Sequence, residues 1–156
     1  MTEDEDTRPA ARRDARMANT LTFRVLVAAN RIALPFAERV GQRFDLTLPE
    51  WRCMMALAAD PGVSGEDVAR KMCMDKMGVS RALRRLRKAG RVAVQPDPAN
   101  SKRNQWIMTD TGWQIFDQIL PQALARDEVA FSKLDGDKRK LIFDVLAAFD
   151  ALLEES

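Results

Sequence analysis

The chain has 156 residues, of which 46% are hydrophobic and 31% charged, a composition typical of a soluble globular protein. No apolar run approaches the roughly 18 residues that a membrane-spanning helix needs, and residues 1–16 lack the apolar core of a secretory signal. Histidine is absent, and Cys53 and Cys73 match no zinc-binding spacing. We therefore expect a cytoplasmic protein that is not an enzyme and has no cofactor, metal or membrane partner.

The charges are unevenly placed along the chain. The formal net charge is only +2, yet the segment from Arg70 to Arg103 holds eleven basic and two acidic residues, a net of +9. The remaining residues carry a net of −7. Such a basic segment in an otherwise acidic protein indicates a polyanionic partner. The alternative is a solvated charged face, but such faces usually mix both signs.

The first half of the chain predicts helices. Residues 1–18 are polar and charged and predict a flexible arm. From Asn19 to Val40 apolar residues recur at helical spacing; Pro35 should kink this helix and Gly41 should end it. A capping box formed by Thr47 and Glu50 predicts a second helix through Ala59.

The middle of the chain predicts two shorter helices and a hairpin. Ser64 and Asp67 resemble another capping box, opening a helix over 65–72. Asp75 is placed to cap a helix over 76–89, and Gly90 stands where a C-terminal glycine belongs. Residues 92–94 and 105–108 are β-prone and flank turn residues at 96–100. Together they predict a small hairpin with a basic tip.

Two long helices complete the prediction. The first begins at Thr109 or Asp110 and is kinked by Pro121; a break at 135–137 precedes a last helix over 138–153. The long helices have one apolar face each, and a second copy of the chain is the simplest surface to cover it.

The predicted fold class is mainly α with a small β-hairpin wing, a winged helix-turn-helix DNA-binding domain plus N- and C-terminal dimerisation helices. The predicted ranges are 1–18 for the arm, 19–46 for a dimerisation helix, 47–109 for the winged helix-turn-helix domain and 110–156 for further dimerisation helices.

The helix over 76–89 has the two faces that a DNA-reading helix needs. Val79, Ala82, Leu83 and Leu86 form an inward apolar stripe, and the opposite side is polar and basic. Gly78 suggests a close approach to the duplex, and either Lys102 or Arg103 of the hairpin is expected to enter a minor groove. The candidate DNA contacts are Lys76, Met77, Gly78, Ser80, Arg81, Arg84, Arg85, Lys88, Lys102, Arg103 and Asn104. A merely solvated amphipathic helix is the alternative for this segment alone.

From Leu46 to Gly112 the sequence resembles the MarR-type bacterial regulators. The matching segments read LTLPEWRCMMALAADPG, DVARKM, MDKMGVSRALRRLRKAG and DPANSKRNQWIMTDTG. The motifs that carry the resemblance are Val79-Ser80-Arg81, Leu86 with Gly90, and Met108-Thr109 with Gly112. The resemblance implies a homodimer held by its N- and C-terminal helices, with two winged helices on a pseudo-palindromic site in double-stranded DNA.

The resemblance also implies regulation, because small and often aromatic ligands lower the DNA affinity of such proteins. The expected function is therefore a repressor released by a small aromatic effector. Its candidate ligand residues are Phe36, Trp51, Arg52, Met55, Trp113 and Phe116, with ordinary core packing as the alternative. Two other readings stay open. One is a regulator that senses oxidation at Cys53 or Cys73, although both thiols are also explained as passive; the other is a helical interaction or RNA-binding protein with a basic face.

Overall fold

The computed structural model describes residues 20–97 and 100–154, with the backbone alone at residues 37, 38, 100–103 and 154. The predicted arm at 1–18 lies outside the described residues. The described residues divide into two compact units, a first unit up to Trp51 and a second unit from Arg52 onward. None of the described helices is long and apolar enough to cross a bilayer.

The first unit contains a helix that changes its winding after a proline. Helix α1 spans Leu21–Phe36, a π-helical turn follows at Ala37–Gly41, and the short helix α2 covers Gln42–Phe44. Pro35 lies inside α1 and has no backbone N–H to donate, and the wider π-helical turn begins two residues later.

The prediction that Gly41 ends the first helix is wrong. The helical backbone continues to Phe44 and ends at Asp45, whose φ of 46° is left-handed. Gly41 is required by packing, since a Cβ there would lie 2.7 Å from the carbonyl oxygen of Leu46. The Leu46 amide also donates to the Gly41 carbonyl at 3.0 Å.

Helices α3 (Leu48–Ala59) and α4 (Gly65–Lys71) begin at the two predicted capping boxes. The amide and hydroxyl of Thr47 donate to the Glu50 carboxylate at 2.6 and 2.7 Å. Ser64 and Asp67 exchange the corresponding hydrogen bonds, with the Asp67 amide donating to the Ser64 hydroxyl at 3.1 Å. Both boxes are therefore confirmed, and α4 ends one residue earlier than predicted.

Helix α5 (Lys76–Lys88) leads into an antiparallel hairpin of β1 (Val92–Asp97) and β2 (Asn100–Met108). Val92 faces Met108, and the register shifts between Pro96 and Asp97. The strands are longer than predicted, because the supposed turn residues at 96 and 97 lie within β1. A two-stranded hairpin tolerates proline where the missing N–H is not needed for pairing.

Helices α6 (Asp110–Phe131) and α7 (Gly136–Glu154) close the chain. Pro121 lies inside α6 without ending it. The predicted break at 135–137 is too late, since Asp135 accepts a hydrogen bond from the Lys138 amide at 2.9 Å and α7 begins at Gly136. The start predicted at residue 138 is therefore two residues late.

The second unit has a core of apolar side chains from α3 to α6. Helix α4 packs against α5, α5 contacts β1, and both α4 and α6 contact β2. The largest fully buried side chains in this core are Cys53, Met54, Leu57, Val68, Val79, Leu83, Leu86 and Ile119. The predicted fold class, mainly helical with a small hairpin wing, is confirmed.

Candidate nucleic-acid interface

Helix α5 has a well-defined beginning and end. The Asp75 carboxylate accepts a hydrogen bond from the Gly78 amide at 2.6 Å and caps the first turn. At the other end Gly90 adopts a φ of 71°, and the Arg91 amide donates to the Leu86 carbonyl at 2.9 Å. This is a Schellman-type ending. Both ends are therefore set by local contacts, as predicted.

The two faces of α5 differ completely in exposure. The predicted inward stripe is buried, and none of its side chains is more than 4% exposed. The opposite stripe follows helical spacing and is exposed; it consists of Met77, Arg81, Arg84 and Lys88. Ser80 and Arg85 flank it, as does Arg87, an exposed cation that the sequence prediction omitted. Their contact with DNA stays a prediction.

Three cations near α5 are paired with carboxylates of the same unit. Lys76 forms an ion pair with Glu66, Arg70 with Asp67, and Lys71 with Asp60. The first pair joins the start of α5 to the first turn of α4 at an exposed position, a contact that spacing alone does not indicate. These pairs offset positive charge, whereas the outer stripe of α5 adds three exposed cations, Arg81, Arg84 and Lys88, to the basic segment.

The Asp67 carboxylate is the group in this region with a clearly shifted pKa. Hydrogen bonds from the Ser64 hydroxyl and backbone N–H hold the pKa of Asp67 below its usual value, and the Arg70 charge adds to the effect. These contacts stabilise the ionised carboxylate, which is the form that caps α4 and pairs with Arg70.

Gly78 is explained by its cap as well as by space for a duplex. A Cβ at this position would lie 2.4 Å from the Asp75 carboxylate oxygen, so a side chain would displace the cap. The close approach of Gly78 to DNA remains a prediction. It is not needed to explain why glycine stands at this position, because the Asp75 cap already explains it.

The hairpin is attached to the helical part through Trp106. Its amide donates to the Val63 carbonyl at 2.9 Å, and its carbonyl accepts from the Gly62 amide at 3.0 Å. Residues 62–63 thus lie beside β2 like a short third strand. This bridge is absent from the sequence prediction, because a single β-branched residue at Val63 does not indicate a strand.

The tip of the hairpin carries the remaining candidate DNA contacts. Lys102 and Arg103 lie in β2 by their backbone, and their side chains lie outside the described part of the structure. Asn104 is exposed and pairs with Pro96. The choice between Lys102 and Arg103 for the minor groove stays open.

The candidate ligand residues occur as two aromatic pairs. In the first unit Phe36 and Trp51 are buried and stacked, with ring centroids 5.6 Å apart. In the second unit Trp113 meets Phe116 edge-on at 5.7 Å. Two further candidates, Arg52 and Met55, are half-buried. A common pocket for all six residues stays a prediction.

The two cysteines lie in different environments. Cys53 is fully buried, as a passive core thiol requires. Cys73 is exposed in the turn between α4 and α5, where its φ of 48° is left-handed. The Met74 amide donates to the Ala69 carbonyl at 2.9 Å, so Cys73 occupies the position that glycine favours at a helix end.

These elements together define a class of protein. A short helix, a turn, a capped basic helix and an antiparallel hairpin in this order form a winged helix-turn-helix. The class presents a helix to the major groove of duplex DNA and a hairpin beside it.

Comparison with known proteins shows which proteins this chain is similar to. Residues 44–103 match the model of the MarR family. The chain is 28% identical over 123 residues to the HTH-type transcriptional regulator FarR of Neisseria gonorrhoeae, covering 78% of this chain and 84% of that one. It is 24% identical over 137 residues to the homoprotocatechuate degradative operon repressor of Escherichia coli, covering 87% and 91%.

A solved structure shows the same fold. BpsR of Bordetella bronchiseptica, whose DNA binding is regulated by 6-hydroxynicotinic acid, superimposes with a TM-score of 0.74 at 21% identity, covering 85% of this chain and 94% of that one. The predicted resemblance to the MarR-type regulators is confirmed over residues 44–103.

Proposed function

We propose that this protein is a repressor that binds a pseudo-palindromic operator in double-stranded DNA as a homodimer and is released by a small aromatic ligand. The observation that carries the proposal is the exposed stripe of α5, with Arg81, Arg84 and Lys88 aligned opposite a fully buried apolar stripe. The capped ends of α5 hold this stripe in one orientation. We also propose a division into a winged domain at 47–109 with dimerisation helices on both sides.

DNA binding is tested by selection from random duplexes, followed by affinity measurements at several salt concentrations. We expect a two-fold sequence with half-sites about one helical turn apart. Affinity should fall by roughly 10³- to 10⁵-fold between 50 and 200 mM salt if about six to ten phosphates are contacted. A salt slope near zero would contradict the proposal. Tighter binding to RNA than to duplex DNA at the same salt would favour the RNA-binding alternative.

A homodimer is supported by the apolar side chains that the long helices expose. In the first unit α1 exposes Leu21, Leu26, Ile32 and Leu34, and in the second α7 exposes Leu141, Val145, Leu146 and Leu152. Large apolar surfaces are uncommon on monomeric proteins, and a second copy of the chain would cover these side chains symmetrically.

Replacing Val145 with glutamate should therefore raise the dimer dissociation constant at least about tenfold, because a two-fold interface would bury the new charge twice. Val145 is 55% exposed in the single chain, so the folded monomer accommodates the change. Sedimentation over a concentration series measures the effect. Lys140→Glu is the control, since it places a carboxylate on the opposite face of α7. Equal dimerisation of the two variants would place the interface elsewhere.

A hydroxylated aromatic acid is the proposed effector. The support is that one relative is named for a homoprotocatechuate operon and a protein of the same fold responds to 6-hydroxynicotinic acid. Half-buried Arg52 offers a cation for the carboxylate of such a ligand. The ligand would release the operator by binding more tightly to the conformation that cannot bind DNA than to the one that can.

The ligand is tested with homoprotocatechuate and 6-hydroxynicotinic acid as probes of operator release. We expect release of the wild-type protein and of Cys73→Ser, and a roughly tenfold higher ligand requirement for Arg52→Gln, since a charge-assisted hydrogen bond contributes about 1.5 kcal/mol. Peroxide provides the contrasting treatment. If peroxide releases the wild-type protein but not Cys73→Ser, while both acids are inert, an oxidation switch replaces the ligand.

A further inference from the structure

Met77 is an apolar side chain in an exposed, basic place. It is 62% exposed, and among the described residues of the range 47–109 it is the only large hydrophobic side chain that is exposed. The other exposed large hydrophobic side chains described lie on α1, α6 and α7, where a dimer partner is expected. Neither core packing nor the proposed dimer interface therefore accounts for Met77.

The position of Met77 on α5 places it where a recognition helix reads bases. It is the second residue of the helix and begins the stripe that continues through Arg81 and Arg84. The N-terminal residues of a recognition helix are those that reach base edges in the major groove. Arg84 is held toward this end, since its Nε donates to the Ser80 carbonyl at 3.2 Å.

The major groove offers one apolar group that distinguishes base pairs, the C5-methyl of thymine, which 5-methylcytosine also carries. Phosphates and the other base-edge atoms are polar and gain nothing from a thioether. Methionine is unbranched and polarisable, so its side chain can pack against a methyl group that projects into the major groove. The chemistry of the side chain therefore matches one class of ligand atom.

We propose that Met77 contacts the C5-methyl group of a pyrimidine and makes the protein prefer thymine or 5-methylcytosine at one position of each half-site. The inference rests on the proposed DNA-binding function and adds a specificity-determining residue to it. Arg81 and Arg84 supply polar contacts and charge, and Met77 supplies an apolar contact that selects the methylated pyrimidine.

The test uses the selected operator with each thymine replaced in turn by deoxyuridine, which removes the methyl group and leaves base pairing unchanged. Wild-type protein should lose about fourfold in affinity at one position per half-site, the equivalent of one buried methyl group. Changing both half-sites together should cost about fifteenfold, because distant sites are additive. Met77→Ala should bind the thymine and deoxyuridine operators equally well.

Two further variants separate the methyl contact from general damage. Met77→Leu retains an apolar side chain and should retain most of the preference, whereas Met77→Gln has similar length but is polar and should lose it. Cytosine and 5-methylcytosine at the same position form the second arm. Tighter binding to 5-methylcytosine than to cytosine would show that the methyl group itself is recognised. If only thymine is preferred over deoxyuridine, the contact is specific to thymine.

The outcomes distinguish this inference from the proposed function. If the operator is bound with a steep salt slope but no methyl removal weakens wild-type binding, the inference is overturned and DNA binding stands. The same holds if Met77→Ala keeps the full preference for thymine over deoxyuridine. If no sequence is selected and binding is independent of salt, the proposed function fails and the inference fails with it.

Discussion

Replacing Gly112 with alanine is expected to lower the free energy of unfolding by about 3 kcal/mol, at the upper end of what overpacking usually costs. A Cβ at Gly112 would lie 2.0 Å from the carbonyl oxygen of Arg91. The obstacle is backbone rather than the end of a flexible side chain, so one of the two segments must move.

The segments that would move are joined by several hydrogen bonds. The Thr109 amide donates to the Arg91 carbonyl at 3.1 Å, and the Thr109 hydroxyl donates to the Gly90 carbonyl at 2.7 Å. The same hydroxyl accepts from the Gly112 amide at 3.1 Å and caps α6. Separating Gly112 from Arg91 therefore strains the cap of α6 and its attachment to the end of the proposed recognition helix.

Denaturant unfolding of the full chain measures the effect, with Gly136→Ala as the matched control. Gly136 also lies in the first turn of a helix, but apart from its chain neighbours and its own helix backbone a Cβ there would meet no atom within 4 Å. The control should be neutral or stabilise by up to about 1 kcal/mol, because alanine favours helix and restricts the unfolded chain. Identical unfolding midpoints for the two variants would contradict the packing argument.

The sequence predicted the parts of this fold that depend on local contacts. The caps at Ser64 and Asp75 join residues three positions apart, so their spacing alone identifies them. The buried stripe of α5 follows from helical periodicity in the same way. For these features each signal lies within the element that it specifies.

The parts that the sequence did not predict depend on contacts between distant segments. The bridge from Val63 to Trp106 joins residues far apart in the chain, and no local pattern specifies it. Gly112 belongs to a motif that the sequence shows, but glycine is required there because a side chain would collide with the backbone of Arg91. Gly41 does not end its helix. Glycine is needed there because a side chain would collide with the carbonyl oxygen of Leu46.

Replacing Arg81 and Arg84 together with alanine is expected to weaken operator binding by at least about a thousandfold. Each arginine that contacts a base edge contributes roughly 1–3 kcal/mol to discrimination, and a dimer loses the contacts in both half-sites. The variant should fold normally, since both side chains are exposed and lie opposite the buried stripe. Unchanged helical content and thermal midpoint would verify this before affinity is measured.

The matched control for this double variant is Lys71→Ala, which removes a cation whose charge is already paired with Asp60. The effect of Lys71→Ala on folding and on operator affinity should be small, because the freed Asp60 carboxylate is exposed and surface ion pairs contribute little. Comparing the selected operator with random duplex then separates the two kinds of contact. Loss of Arg81 and Arg84 should reduce the ratio of the two affinities, whereas changing Lys102 and Arg103 to alanine should weaken both alike and flatten the salt slope. A wing variant that changed base preference more than the helix variant would reverse the roles assigned to helix and wing.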